Sequence, residues 1–475
     1  GKRVEAAVKR EWKTIAYKAI KGLMPPDGFD QQIDLALETF WVFHPASESA
    51  YHQAYRDIER VLGAIKNVRP VRQYHYQQEN GMTIYGERGR KCSLDGERNA
   101  LFYRNSSNNN GKASIPAMLR HNNLPPSSDV ASKFDDAVWR NGEALSGAST
   151  VKRLHDFDKG LEYPSTSEIA LANVIQSFPE QVEHLKTAFG KENLGVLIQQ
   201  CNELTINLNN GEWVSWNDQY YYEENLNPKN IPNHFQLELA RKRLKKLTAA
   251  LEKKEIPRYY ALLHFDGDNM GQWLSGVNLA EGYNRGAELL KFHKDLAEQL
   301  ARFSYHQSEI EEEKGAFQFL TPPKGRTIYA GGDDFLGFVN LEHLFDVLGW
   351  LRERFDEYVN QKIAHKKQGK NFTFSAGLVI AHYKTPLHVV LDWTRSTEKA
   401  AKNFIHPHGQ RKDTLGISVL KASGEITQAF VPWQLEEGDK AGQETASKVY
   451  WSTEAMKEVV ESLRKNFSDK WLHNL

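Results

Sequence analysis

Tyr329-Ala330-Gly331-Gly332-Asp333-Asp334-Phe335 decides the reading of this chain. Two glycines run into two adjacent acids between the apolar residues Ile328 to Ala330 and Phe335 to Val339. That pattern predicts a β-hairpin with a Gly-Gly-Asp-Asp turn. Glycine lets a backbone approach a bulky ligand with no Cβ in the way. Two carboxylates at such a tip suit hard divalent cations. A metal beside a phosphate-sized gap is equipment for nucleotidyl transfer.

The surrounding pattern supplies a context. Tyr259 to Phe265 is an apolar strand ending in Asp266-Gly267-Asp268. A helix is predicted at about 279–304, and the hairpin follows it. A second helix is marked by Leu344, Leu348, Leu351, Phe355 and Tyr358. A strand at Phe372 to Ala381, a helix at Leu387 to Phe404 and a strand at Thr414 to Leu420 complete the series. The order β-α-β-β-α-β-α-β is that of a ferredoxin-like palm domain, an α/β (α+β) fold. In this topology the first strand lies next to the hairpin, so Asp266 meets Asp333 and Asp334 across the intervening helix. Three carboxylates from two backbone points can hold two divalent ions about 3.5–4 Å apart. Asp268 is a further candidate ligand, or a cap for the turn that follows. Lys399 and Lys402 are candidates for meeting a triphosphate, with a solvated helix face as the alternative.

The 475 residues suggest several domains, and 61 basic residues balance 61 acidic ones. A chain gripping nucleic acid alone would be basic, so any RNA or DNA is expected to be held partly by other subunits. Two cysteines, Cys92 and Cys201, exclude a disulfide scaffold and fit a reducing compartment. No apolar run is long enough to span a bilayer and no signal peptide is evident, so no membrane partner is expected and the cytoplasm is the default location. The chain opens at Gly1 without Met, which points to a missing or removed N-terminal portion.

The expected organisation has five parts: a first palm-like α/β region at 1–90, an insertion at 91–160, a mainly helical linker at 161–256, the palm at 257–422 and a C-terminal helical domain at 423–475. Within the first, Leu37 to Phe43 reads as a strand and Tyr51 to Ile65 as a helix. The polar run Arg104 to Gly111 reads as a loop or hairpin tip. In the linker, Leu237, Ala240, Leu244, Leu247 and Leu251 share one helical face. The basic residues from Arg241 to Lys246 form a solvated face by default, or contact nucleic acid or an acidic neighbour.

Asp266-Gly267-Asp268-Asn269-Met270-Gly271 with Trp273-Leu274-Ser275-Gly276, together with Tyr329 to Asp334, resembles the large polymerase-like subunit of type III CRISPR effector complexes, most closely the Cmr (III-B) kind. Ser375 to Lys384, Pro386-Leu387, the lysine-bearing helix, Asp413 to Val419 with Gly424-Glu425, and Tyr163 to Thr166 with Ile169-Ala170 extend the resemblance. It covers most of the chain from about 92 onward. It implies two palm domains, the second with the cyclase motif, and a C-terminal helical domain contacting neighbouring subunits. It also implies target RNA paired with guide RNA as the trigger, ATP as the substrate and cyclic oligoadenylate as the product. On this reading Asp266, Asp333 and Asp334 are catalytic and hold two Mg²⁺ or Mn²⁺ ions, with Asp268 as a further metal candidate. Gly331, Gly332, Gly267, Ser375, Lys399 and Lys402 are the nucleotide-facing candidates.

Two departures from the family pattern matter. Where many members carry two Cys-x-x-Cys pairs, this chain has Cys92-Ser93-Leu94-Asp95 and Ser146-Gly147-Ala148-Ser149, so a zinc-free, side-chain-packed ribbon is expected. His155-Asp156 lies in the wrong place for the DNA-cutting HD domain and reads as a loop pair. Alternatives are a linear adenylate conjugate, for example with S-adenosylmethionine, a diguanylate-type cyclase and a non-catalytic scaffold. The segment Leu320 to Gly325 lacks the inhibitory Arg-x-x-Asp frequent in diguanylate cyclases. A scaffold leaves unexplained an acid cluster that is unfavourable to hold together.

Overall fold

A computed structural model describes residues 1–21, 23–68, 77–79, 82–84, 90–103, 128–129, 139, 142–155, 163–190, 213–251, 255–310, 313–406, 409, 411–436 and 449–466. Two compact units result: Gly1–Ala46 with Gln53–Glu162, and Ser47–His52 with Tyr163–Leu475. The run Arg104 to Gly111, Asp156 and Cys201 lie outside the described residues.

In the first unit, helices Lys2–Ala19 and Phe29–Ala36 and most of Tyr51–Asn67 accompany a hairpin of β1 (Gln77–Glu79) and β2 (Met82–Ile84). A small sheet has the order β4-β3-β5, from β3 (Phe102–Tyr103), β4 (Ser128–Asp129) and β5 (Ala144–Leu145). No ferredoxin-like sheet occurs among the described residues of 1–90. Leu37 to Phe43, expected as a strand, joins no sheet among the described residues. Trp41 and Phe43 pack on each other, 5.7 Å between ring centres, and no neighbouring strand among the described residues accepts their backbone. Ala16, Ile20, Phe29 and Ile33 share one core with Cys92, Phe102, Trp139, Leu145 and Val151, so the helices and the ribbon fold as one body.

The ribbon brings its four ligand positions together. Asp95 Oδ2 accepts from Ser146 Oγ at 2.9 Å and Ser149 Oγ at 3.0 Å, while Oδ1 accepts from the amides of Glu97 and Arg98. Burial opposes the Asp95 charge, but these four donors outweigh it and bring the carboxyl down to about 2. Hydrogen bonds thus tie the two loops together. Burial pushes the Cys92 thiol up, yet hydrogen bonds around Asp95, Ser146 and Ser149 leave it below its ordinary value.

The second unit is built on a six-stranded sheet of order β11-β10-β9-β6-β8-β7. Its strands are β6 (Tyr259–Gly267), β7 (Gly325–Gly331), β8 (Asp334–Val339), β9 (Phe374–His382), β10 (Thr414–Leu420) and β11 (Ile426–Pro432). As the topology predicts, β6 lies centrally, antiparallel to both β8 and β9, and β10 runs parallel to β9. Alternation along β6 feeds two cores. Ala261, Leu263 and Phe265 face helices Gly286–Tyr305 and Leu344–Phe355, while Tyr260 and Leu262 face helices Thr166–Ser177 and Leu387–Asn403. The expected linker helix is His234–Ala250, with Leu237, Ala240, Leu244, Leu247 and Leu251 buried. Arg243 of its basic run is also buried, donating to the His184 carbonyl and the Thr187 hydroxyl.

One difference concerns the boundary expected at 422. The chain turns at Lys421 to Glu425, and β11 pairs with β10 along its whole length, from Leu420↔Ile426 to Thr414↔Pro432. The sheet therefore continues into the region expected to be helical. A hairpin of β12 (Gln434–Glu436) and β13 (Val449–Trp451) then leads to the helix Ser452–Asn466, which packs on Leu344–Phe355.

Candidate active site

Three carboxylates meet where β6 ends and the β7–β8 hairpin turns. The register Phe265↔Phe335 sets Asp266 and Asp334 on neighbouring strands, and Gly331↔Asp334 closes the hairpin around Gly332 and Asp333. Gly332 has φ +66°, a left-handed conformation that favours glycine, and open space surrounds it. The buried Ser304 hydroxyl donates to its carbonyl at 3.2 Å and pins the turn to helix Gly286–Tyr305. Gly267 makes room for Asp333: a Cβ there would lie 2.6 Å from Asp333 Oδ2. Gly331 makes room for a side chain of its own hairpin, since a Cβ would lie 2.3 Å from the Tyr329 hydroxyl. Of the three glycines expected to face a nucleotide, Gly332 is the one with free space.

The neighbouring carboxylates oppose one another's charge. Burial raises the Asp333 carboxyl above its ordinary value, and the neighbouring charges of Asp266 and Asp334 raise it further. Asp334 Oδ1 is buried, lies 3.2 Å from His264 Nε2, and makes no hydrogen bond. Lys402 Nζ donates to Asp266 Oδ2 and stands 2.7 Å from Glu398 Oε1. Burial works against that ammonium, but Asp266 and Glu398 hold its pKa above the ordinary lysine value. The lysine thus supplies a positive charge where a metal ion would.

Lys402 reaches Asp266 because helix Leu387–Asn403 lies hard against the sheet. Gly377 on β9 and Gly416 on β10 stand opposite each other in register. A Cβ on Gly377 would come within 2.3 Å of the Thr394 carbonyl oxygen and 2.4 Å of the Glu398 nitrogen. Lys399, the other lysine candidate, is exposed and makes no ion pair among the described residues.

Asp268 is placed differently from the other acids. Only 2% exposed, it accepts from Thr373 Oγ1 at 2.8 Å, Ser375 Oγ at 2.9 Å and the Asp413 amide at 3.0 Å. Ser375 is fully buried and spends its hydroxyl on Asp268. The pair ties the end of β6 to β9 and β10, behind the half-buried Asp266. Beneath it the buried Arg352 contacts Asp413 at 2.9 Å and stacks against Phe374, Trp433 and Trp451. Burial pushes the Asp413 carboxyl up to about 6; the charges of Asp268 and Asp356 act in the same direction and Arg352 opposes them.

The oxygen donors of Asp266, Asp333 and Asp334 fit hard divalent ions, and the Lys402 ammonium bonded to Asp266 shows that this cluster takes a positive charge. Among the described residues no three His, Cys, Asp or Glu side chains stand in a ready ligand arrangement. His264 and Glu398 were not foreseen. His264 hides in the apolar run of β6, and Glu398 has only its four-residue spacing from Lys402 to signal it.

The sheet order and its helices are those of a palm domain. Residues 259–414 match the family described as Cas10/Cmr2, second palm domain. Over 399 residues the chain is 25% identical to the CRISPR system Cmr subunit Cmr2 of Pyrococcus furiosus, covering 79% of this chain and 39% of that protein's length. Two solved structures are similar: type III-B Cmr-beta bound to cognate target RNA (14% identity, TM-score 0.47, 91% of this chain and 58% of the other) and the same assembly in its apo state (14%, 0.41, 81% and 49%). The palm residues 259–414 thus match the Cas10/Cmr2 family, and the chain is similar to the large subunit Cmr2 while spanning about two fifths of its length. Among the described residues no helix is long and apolar enough to cross a membrane.

Proposed function

We propose that this chain is the catalytic large subunit of an RNA-guided Cmr-type complex in the cytoplasm, making cyclic oligoadenylate from ATP when target RNA pairs with guide RNA. The observation that carries the reading is the meeting of Asp266, Asp333 and Asp334 with Lys402 at one end of the palm sheet. Asp266, Asp333 and Asp334 would hold Mg²⁺ or Mn²⁺, which when bound neutralises phosphate charge and activates the attacking hydroxyl. Gly332 leaves space for the nucleotide, and Lys402 meets the triphosphate. The ribose 3′-oxygen of one ATP bonds to the α-phosphorus of another. The α–β bridge breaks, pyrophosphate leaves, and the hydroxyl proton passes to water. Asp268 and Ser375 take a positioning role here, fixing the strand end that carries Asp266.

The test supplies the assembled complex with ATP, Mg²⁺ or Mn²⁺ and matching target RNA, and identifies products by mass. GTP and S-adenosylmethionine run in parallel. Cyclic oligoadenylate is expected from wild type and none from Asp333→Ala with Asp334→Ala. No nucleotide product, or unchanged product from the double variant, would overturn the proposal.

A further inference from the structure

The roles assigned to Asp266 and Lys402 compete, because an ammonium on Asp266 opposes a divalent ion there by like charge. Asp266 is to hold a divalent ion, yet its Oδ2 is bonded to the Lys402 ammonium. Lys402 is to meet phosphates, yet it sits between two carboxylates, with Glu398 Oε1 at 2.7 Å. The helix that carries it cannot approach further or tilt inward, because Thr394 and Glu398 already rest on Gly377. Exchange therefore falls to the Lys402 side chain alone. Glu398, one helical turn before it, keeps the ammonium beside the site once Asp266 lets go.

We propose that Lys402 is a latch linking the loading of ion and triphosphate. This rests on the nucleotidyl-transfer reading above. An ion arriving alone meets a cation already bonded to Asp266. A triphosphate arriving alone competes with two carboxylates for that cation. Arriving together, the phosphates take the ammonium and the ion takes Asp266, so every charge keeps a partner. Linkage of this kind is reciprocal: each ligand tightens the other by the same factor.

The test titrates the full chain with Mn²⁺ by calorimetry, with and without α,β-methylene-ATP. For wild type the nucleotide should tighten Mn²⁺ by at least about fivefold, the low end for coupled sites. Lys402→Met should bind Mn²⁺ alone about fivefold more tightly than wild type and show a smaller nucleotide effect. Lys402→Arg keeps the cation and should bind Mn²⁺ alone as weakly as wild type, which separates loss of the latch from a disturbed fold. Equal Mn²⁺ affinity of wild type and Lys402→Met without nucleotide overturns the latch. It leaves the nucleotidyl-transfer reading standing if Asp333→Asn still weakens Mn²⁺. Mn²⁺ binding indifferent to both Asp266→Asn and Asp333→Asn overturns the two together.

Discussion

Replacing Gly377 by alanine drives a Cβ to 2.3 Å from the Thr394 carbonyl oxygen, 2.4 Å from the Glu398 nitrogen and 3.0 Å from the Glu398 Cα. These are backbone atoms of one helix turn, and no side chain can swing aside to relieve them. Ordinary contact begins at 3.4 Å, so the helix must retreat by about 1 Å. Overpacking of this kind destabilises by about 1–3 kcal/mol. The narrower unfolded ensemble of alanine offsets about 0.4–1 kcal/mol of that. The net loss should lower Tm by a few degrees, at about 2–4 °C per kcal/mol in large domains. The functional loss should exceed the loss of stability. Glu398 is the residue struck, Lys402 lies one turn on, and a misplacement of about 1 Å costs an active site up to about a hundredfold. Gly416→Ala is the graded control. Its Cβ meets Phe430 and Thr397 at 3.0–3.1 Å, which a few tenths of an ångström relieve. Thermal melting and product formation by the assembled complex are the assays. A Gly416→Ala effect equal to or larger than that of Gly377→Ala would refute the reasoning.

The buried Asp413 should leave a signature in pH. A carboxyl raised from 3.8 to about 6 contributes stability fully below 3.8 and loses it as pH rises through about 6. In urea unfolding from pH 4 to 7, the difference between wild type and Asp413→Asn should slope over that window and level off above it; a constant difference contradicts this. Asp95, brought down to about 2, behaves oppositely: its contribution is present above 3.8 and is lost as pH falls toward 2. Ser146→Ala removes both a donor to Asp95 and the N-cap of helix Gly147–Leu154, and should destabilise the first unit by about 1–2 kcal/mol in urea unfolding. The triple change Asp95→Cys, Ser146→Cys and Ser149→Cys, joined to Cys92, should create a site for one zinc per chain, read by metal analysis. No zinc uptake would mean that the four positions are not its corners.

The palm was legible because its signals are local and strong. Apolar strands of five or more residues alternate with amphipathic helices, and Gly-Gly-Asp-Asp interrupts them at one point. Asp266 was legible because it ends an apolar strand that the topology places beside that turn. The face each acid presents was not. Asp266 and Asp268 look equivalent two residues apart, but the strand ends at Gly267, and the chain turns Asp268 into the hydroxyls of Thr373 and Ser375. Strand β11 escaped notice because Ile426, Thr427, Gln428 and Ala429 lie on an exposed sheet edge and carry little apolar signal. Leu37 to Phe43 misled for the opposite reason, an apolar run with no strand beside it among the described residues. The ion pair of Lys402 with Asp266 joins residues 136 positions apart, and it depends on two glycines that carry no chemical signal of their own.

The central claim is that Asp266, Asp333 and Asp334 form one metal site facing Gly332. Anomalous scattering from crystals of the full chain grown with Mn²⁺ and α,β-methylene-ATP tests it most directly. The account predicts two Mn²⁺ peaks about 3.5–4 Å apart, bounded by these three carboxylates, with Lys402 moved from Asp266 to the triphosphate. Nucleotide and Mn²⁺ bound elsewhere, with Lys402 still on Asp266, would contradict it.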